Sequence, residues 1–95
     1  MEFVPKLGDI IRSKAGRDKD RYFIVMRTDD LYIWTCDGDL RKVDKQKKKK
    51  IKHTKYMDYS SEYIKNKLED GEKVTNSEVR RAIAEFENER GDIDA

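Results

Sequence analysis

The sequence predicts an α+β fold in which residues 1–56 form a small five-stranded β-barrel and residues 57–95 an acidic appendage of two short helices. Three observations lead there. Short apolar runs separated by turn residues fill the first half. The apolar period lengthens to that of a helix near residues 56–59. The charge changes sign at the same place, from sixteen Lys/Arg against nine Asp/Glu in residues 1–56 to six against eleven in residues 57–95.

Taken in order, Gly8-Asp9-Ile10-Ile11-Arg12-Ser13 reads as a first short strand, closed by the loop Lys14 to Arg21, in which Gly16 can supply a positive φ. Tyr22 to Arg27 is rich in aromatic and β-branched residues and too short for a free helix, so a strand apolar on both faces is expected. Thr28-Asp29-Asp30 turns the chain into a third strand over Leu31 to Cys36. Asp37-Gly38 is a hairpin dipeptide of the type I′ kind, returning the chain through Leu40-Arg41-Lys42-Val43. Lys47 to Lys50 are four adjacent like charges, which places them in an exposed loop or at an edge. Ile51 to Tyr56 then supplies a fifth, edge strand with outward lysines.

Beyond residue 56, Tyr59, Tyr63, Ile64 and Leu68 fall at helical spacing, with Ser60 or Ser61 to cap the start and Gly71 to end the helix. Thr75-Asn76-Ser77-Glu78 fits a capping box, after which Val79, Ala82, Ile83 and Phe86 share one face. Gly91 is the expected stop, and Asp92 to Ala95 an acidic, mobile end.

Composition bounds the function. A chain of 95 residues covers only a modest core, so a deep catalytic cleft is not expected. Charged residues reach 44%, but the net charge is only +2 and the apolar residues are periodic, which argues against disorder throughout. Cys36 is the only cysteine, so neither an internal disulfide nor a cysteine zinc site can form, and a reducing cytoplasmic setting is expected. No apolar run nears the roughly 18 residues of a membrane span, and Met1 to Pro5 lacks the basic start of a signal peptide. His53 is the only imidazole, and no phosphate loop, paired-carboxylate motif or metal-ligand spacing occurs. The expectation is therefore a binding protein and not an enzyme, with no catalytic residues, metal, cofactor or small-molecule substrate.

The basic segment carries the functional signal. From Arg41 to Lys55, nine of fifteen residues are Arg or Lys, so a positive potential exists there however the chain folds, and counterion release rewards such clustering on a polyanion. Lys14, Arg17, Lys19 and Arg21 of the first loop offer a second contact; alternatively Asp18 and Asp20 pair with Arg17 and Arg21 and shape the turn. Tyr32 and Trp34, two residues apart, share a strand face. Packing in a small core is the favoured use of that pair, a stacking platform for unpaired bases the other.

Gly8-Asp9-Ile10-Ile11, Ser13-Lys14-Ala15-Gly16-Arg17-Asp18, Tyr22-Phe23-Ile24-Val25, Asp37-Gly38-Asp39-Leu40-Arg41-Lys42-Val43 and Lys47-Lys48-Lys49-Lys50-Ile51-Lys52-His53 together resemble the KOW-domain RNA-binding proteins. They are similar in particular to small bacterial relatives of the archaeal and eukaryotic large-subunit ribosomal proteins numbered fourteen, six and twenty-seven. The resemblance spans roughly residues 7–55 and implies an SH3-like five-stranded barrel, contacts to rRNA and a ribosome-associated role in translation. Carried over by position, it implies RNA-facing roles for Lys14, Arg17, Arg41, Lys47, Lys48, Lys49, Lys50, Lys52 and His53, with Gly16 allowing close approach. Gln46 departs from the proline that precedes the family's basic run.

The leading expectation is thus recognition of folded RNA by backbone and shape, with Arg17 and Arg41 making bidentate contacts and ribosomal or other translation proteins as further partners. The alternative is a protein–protein interaction module that docks a partner on Tyr63, Ile64, Leu68, Val79, Ile83 and Phe86, although a core this small has need of those faces as cover. Duplex DNA is disfavoured because the helices are acidic. The same acidic helices are expected to shield the basic surface.

Overall fold

The computed structural model describes residues 3–94. Its elements run β1 (Asp9–Ser13), β2 (Tyr22–Thr28), β3 (Tyr32–Cys36), β4 (Lys47–Lys50), β5 (Thr54–Ser60), α1 (Glu62–Glu69) and α2 (Asn76–Asp94), with 3-10 turns at Val43–Lys45 and Ile51–His53. The strands form one antiparallel sheet in the order β4-β3-β2-β1-β5, so β4 and β5 are its edges. The architecture is α+β, five strands followed by two helices.

Strand alternation sends apolar side chains to both faces of the sheet. Ile11, Phe23, Val25 and Ile33 are buried together on one face, with Phe3 and Ile51 packed against them. Ile10, Ile24, Met26 and Cys36 join Ile64, Val74, Val79, Ala82, Ile83 and Phe86 from the helical part on the other. The helices therefore complete a core that the sheet begins. Phe86 is held edge-on by Tyr22 at 5.1 Å and tilted against Tyr59 at 5.5 Å. Burial pushes the Cys36 thiol up to about 12, so it sits in the core as an inert small hydrophobe.

Two irregularities bend the sheet. Val25 pairs with Thr35 but Arg27 with Trp34, which leaves Met26 as an extra residue in β2. A bulge of this kind re-aims side chains, and here the consecutive Met26 and Arg27 serve the same face, Met26 in the helix-side core and Arg27 over Trp34. β1 and β5 slip similarly between Asp9 and Ile11, where Asp58 takes a positive φ.

Several local expectations change. The Asp37-Gly38 turn is not a two-residue type I′ hairpin: only Gly38 has positive φ, and the Asp37 carboxylate accepts the amides of Asp39 and Arg41 at 2.9 and 2.8 Å, closing a wider loop. A Cβ on Gly38 would stand 2.4 Å from the Asn76 carbonyl, so glycine also lets this loop dock on α2. Leu40 to Val43 do not form a returning strand, because the chain passes through the 3-10 turn first and the partner of β3 is Lys47–Lys50. Of the two placements open to the four lysines, loop or edge, they take the edge, as a strand, whereas Ile51–His53, expected to open the last strand, is a 3-10 turn. β5 runs across residue 56, where the change of period places the boundary between barrel and appendage.

The helix signals read well. Ser61 Oγ accepts the Ile64 amide at 3.3 Å, and Gly71 at φ +73° follows the end of α1. The capping box closes both ways, Glu78 N to Thr75 Oγ1 at 3.2 Å and Thr75 N to Glu78 Oε1 at 2.9 Å. Lys67 adds an ion pair to Glu78 at 2.7 Å and, with Tyr63, holds that carboxylate down at about 2. α2 is not short, because it has nineteen residues and continues past Gly91 to Asp94, while Ala95 of the expected mobile end lies outside the described residues.

Candidate nucleic-acid interface

Residues from the β1–β2 loop, β3, β4 and the second 3-10 turn meet in one basic region. Gly16 and Arg17 of the β1–β2 loop, Lys47–Lys50 of β4, Tyr32 of β3 and His53 of the second 3-10 turn line one open groove. A neighbouring groove shares Tyr32 and Lys50 and adds Lys14, Lys52 and Leu31, with Asp29 and Asp30 on its wall. Asp29 there serves the β2–β3 turn, where it accepts the Leu31 and Tyr32 amides at 3.0 and 2.8 Å.

The lysine strand is not a uniform patch. Alternation gives it two faces, and burial follows them: Lys48 and Lys50 are exposed, Lys47 is half-buried and Lys49 is buried. The inward pair points at Asp18, itself buried, whose Oδ2 stands 3.5 Å from Lys49 Nζ, 3.8 Å from Lys47 Nζ and 3.6 Å from Arg41 Nη2. Lys49 Nζ also donates to Ser13 Oγ at 3.2 Å and lies 5.3 Å over the Phe23 ring. Burial lowers the Lys49 pKa, and the Asp18 charge and hydrogen bond oppose that loss. One carboxylate thereby collects three cations from a second strand and a distant turn.

That arrangement sorts the expected RNA ligands. Lys14, Arg17, Lys48, Lys50, Lys52 and His53 are exposed around the two grooves, and Gly16, at φ +77°, has open space where a Cβ would stand, leaving its backbone accessible. Arg41 and Lys47 are partly committed to Asp18, and Lys49 faces protein. The β1–β2 loop aspartates do not pair with their neighbours as their spacing suggests. Asp18 reaches β4, and Arg21 pairs instead with Asp37 at 3.2 Å.

Tyr32 and Trp34 do not pack in the core. Both are half-buried, neither belongs to either apolar cluster, and their face of β3 lies beyond the cover of α2. Cations meet the rings instead: Arg27 lies 4.3 Å from the Trp34 centroid, and Lys48 lies 4.2 Å from that of Tyr32 and 5.5 Å from that of Trp34. Arg27 gives no sequence signal, because its placement depends on the Met26 bulge. The helix faces offered as a partner-docking surface are spoken for, since Ile64, Val79, Ile83 and Phe86 are buried on the sheet, and only Tyr63 of that set is well exposed.

Among the described residues, no group of three or more His, Cys, Asp or Glu side chains is placed to hold a metal ion, and no helix is long and apolar enough to cross a membrane. No protein-family model matches the chain, and no curated protein matches it.

Proposed function

We propose that this chain binds structured RNA through the basic end of its sheet, as a KOW-type, SH3-like barrel capped by helices, in a cytoplasmic role beside the ribosome. The observation that carries the reading is the grouping of Lys14, Arg17, Lys48, Lys50 and Lys52 along two adjoining grooves, each exposed and none in an ion pair with a described carboxylate. The strand order, with β1 between β2 and β5, and the two bends in the sheet support the barrel comparison. The choice of rRNA and of a translational setting rests on the sequence resemblance over residues 7–55.

Phosphate neutralisation is the mechanism. Five exposed cations meeting five phosphates release counterions, so log K falls against log salt with a slope of roughly −3.5 to −4.5. Fluorescence anisotropy of a labelled RNA hairpin across a salt series measures that slope. The double reversal Lys48→Glu with Lys50→Glu lowers affinity at least about tenfold without unfolding the protein, since both side chains are exposed. A slope near zero overturns the reading. Crosslinking in cells, with identification of the attached polymer, separates RNA from DNA and from a protein partner.

A further inference from the structure

We propose that Tyr32 and Trp34 form a stacking subsite for unpaired bases, so that the preferred ligand is a single-stranded nucleotide segment, a loop, bulge or tail, and not a continuous duplex. The inference rests on the polyanion-binding reading above and adds to it which part of the nucleic acid is held.

The fold makes no use of these rings in its core. Tyr32 and Trp34 share one face of β3, about 6.6 Å apart along the strand, which gives each ring room for its own base. That face continues to Cys36, which the helices bury, but at Tyr32 and Trp34 the cover stops. Tyr32 also lines the basic groove with Arg17, Lys48, Lys50 and His53, so a chain whose phosphates lie in the groove brings its bases to the aromatic pair.

The cations over the rings decide what kind of ligand fits. Arg27 and Lys48 are both exposed and reach the rings from flexible stems. An exposed cation–π contact is worth about two- to fivefold in an equilibrium constant, whereas a base stacked on an aromatic is worth about five- to 150-fold in affinity. A base therefore displaces the cations, and the freed ammonium and guanidinium stay within reach of the incoming phosphates. A quaternary ammonium or methylated lysine, the other common guest of exposed aromatics, meets two positive charges already in place and is repelled.

Trp34 is the only tryptophan, so its emission reports the subsite directly. The full chain is titrated at low salt with a single-stranded oligoadenylate 12-mer and, separately, with an abasic sugar–phosphate oligomer of the same length. The expected result is saturable quenching of Trp34 by oligoadenylate, little change with the abasic chain, and at least about tenfold tighter binding of the former. With affinities read by anisotropy of end-labelled oligomers, since Trp34→Leu removes the reporter, Tyr32→Ala and Trp34→Leu narrow the gap between oligoadenylate and the abasic chain at least about fivefold by weakening oligoadenylate more than the abasic chain, and circular dichroism checks that each variant is folded. Should Trp34→Leu fail to fold, Tyr32→Ala retains the fluorescent reporter and carries the test.

Equal affinity for the two oligomers without quenching overturns the stacking subsite and leaves the phosphate groove intact. An oligoadenylate affinity that neither variant weakens more than the abasic affinity overturns it as well. Failure of both oligomers to bind at low salt removes the polyanion reading and the subsite together.

Discussion

One face of β3 lies in two environments. At its Cys36 end, α2 and α1 seal the strand beneath Val79, Ile83, Phe86 and Ile64; at its Tyr32 and Trp34 end, the same face carries Arg27 and Lys48 over its rings. Nothing in the strand's own alternation distinguishes the two ends. The difference comes from how far the helices reach, and it teaches that an aromatic stripe becomes core or surface according to a neighbour remote in sequence.

The contrast is broken most strongly at the covered end. Phe86→Ala leaves a cavity against Tyr22 and Tyr59 and is expected to cost about 4 kcal/mol in urea or guanidinium unfolding, whereas Trp34→Ala, which removes a half-exposed ring and its cation contacts, costs about 1 kcal/mol. Equal losses at the two positions show that the open end is as structural as the covered one.

Asp18→Asn comes next, at about 3 kcal/mol, because it leaves Lys47, Lys49 and Arg41 converging on a neutral group. The sign of its pH dependence follows from Lys49. A lysine whose folded pKa is lowered binds its proton less tightly folded than unfolded, so stability rises with pH across that window. The deficit of the Asp18→Asn variant accordingly narrows as pH climbs toward the ordinary lysine range, and thermal melts over an alkaline series measure it. A deficit that stays constant removes Lys49 from the explanation.

The smallest effect is expected at Glu78, on the rim of the helical cover. Its folded pKa of about 2 lies below the usual 4.5, so its contribution is full above pH 4.5 and is lost as pH falls toward 2. Glu78→Gln melts below the parent at neutral pH, and the two converge in acid. Parallel curves down to pH 2 contradict the assigned Lys67 and Tyr63 contacts.

The first three strands are legible in the sequence within a residue or two, since β-branched and aromatic runs between turn residues have few alternatives. Both helix caps are equally plain. The lysine segment reads as a loop or an edge because four adjacent like charges repel on any single surface; it is the edge, where the pleat splits them between two faces and Asp18 neutralises one side. For the candidate site, composition announces the sign of the charge but not which lysines are free. That depends on a carboxylate 31 residues from Lys49, supplied by a loop whose local pattern points to its own arginines. Arg27 stays hidden for a similar reason, as a bulge has no composition of its own.

That bulge bears on how the chain tolerates insertions and deletions. β2 carries one residue more than its partner needs, so losing a single residue near Met26 restores regular pairing and keeps Arg27 opposite Trp34, at the expense of one buried side chain. Gaining a residue there finds no such slack. A loss of one residue from β2 is thus absorbed without turning Arg27 away from Trp34, whereas a gain is not.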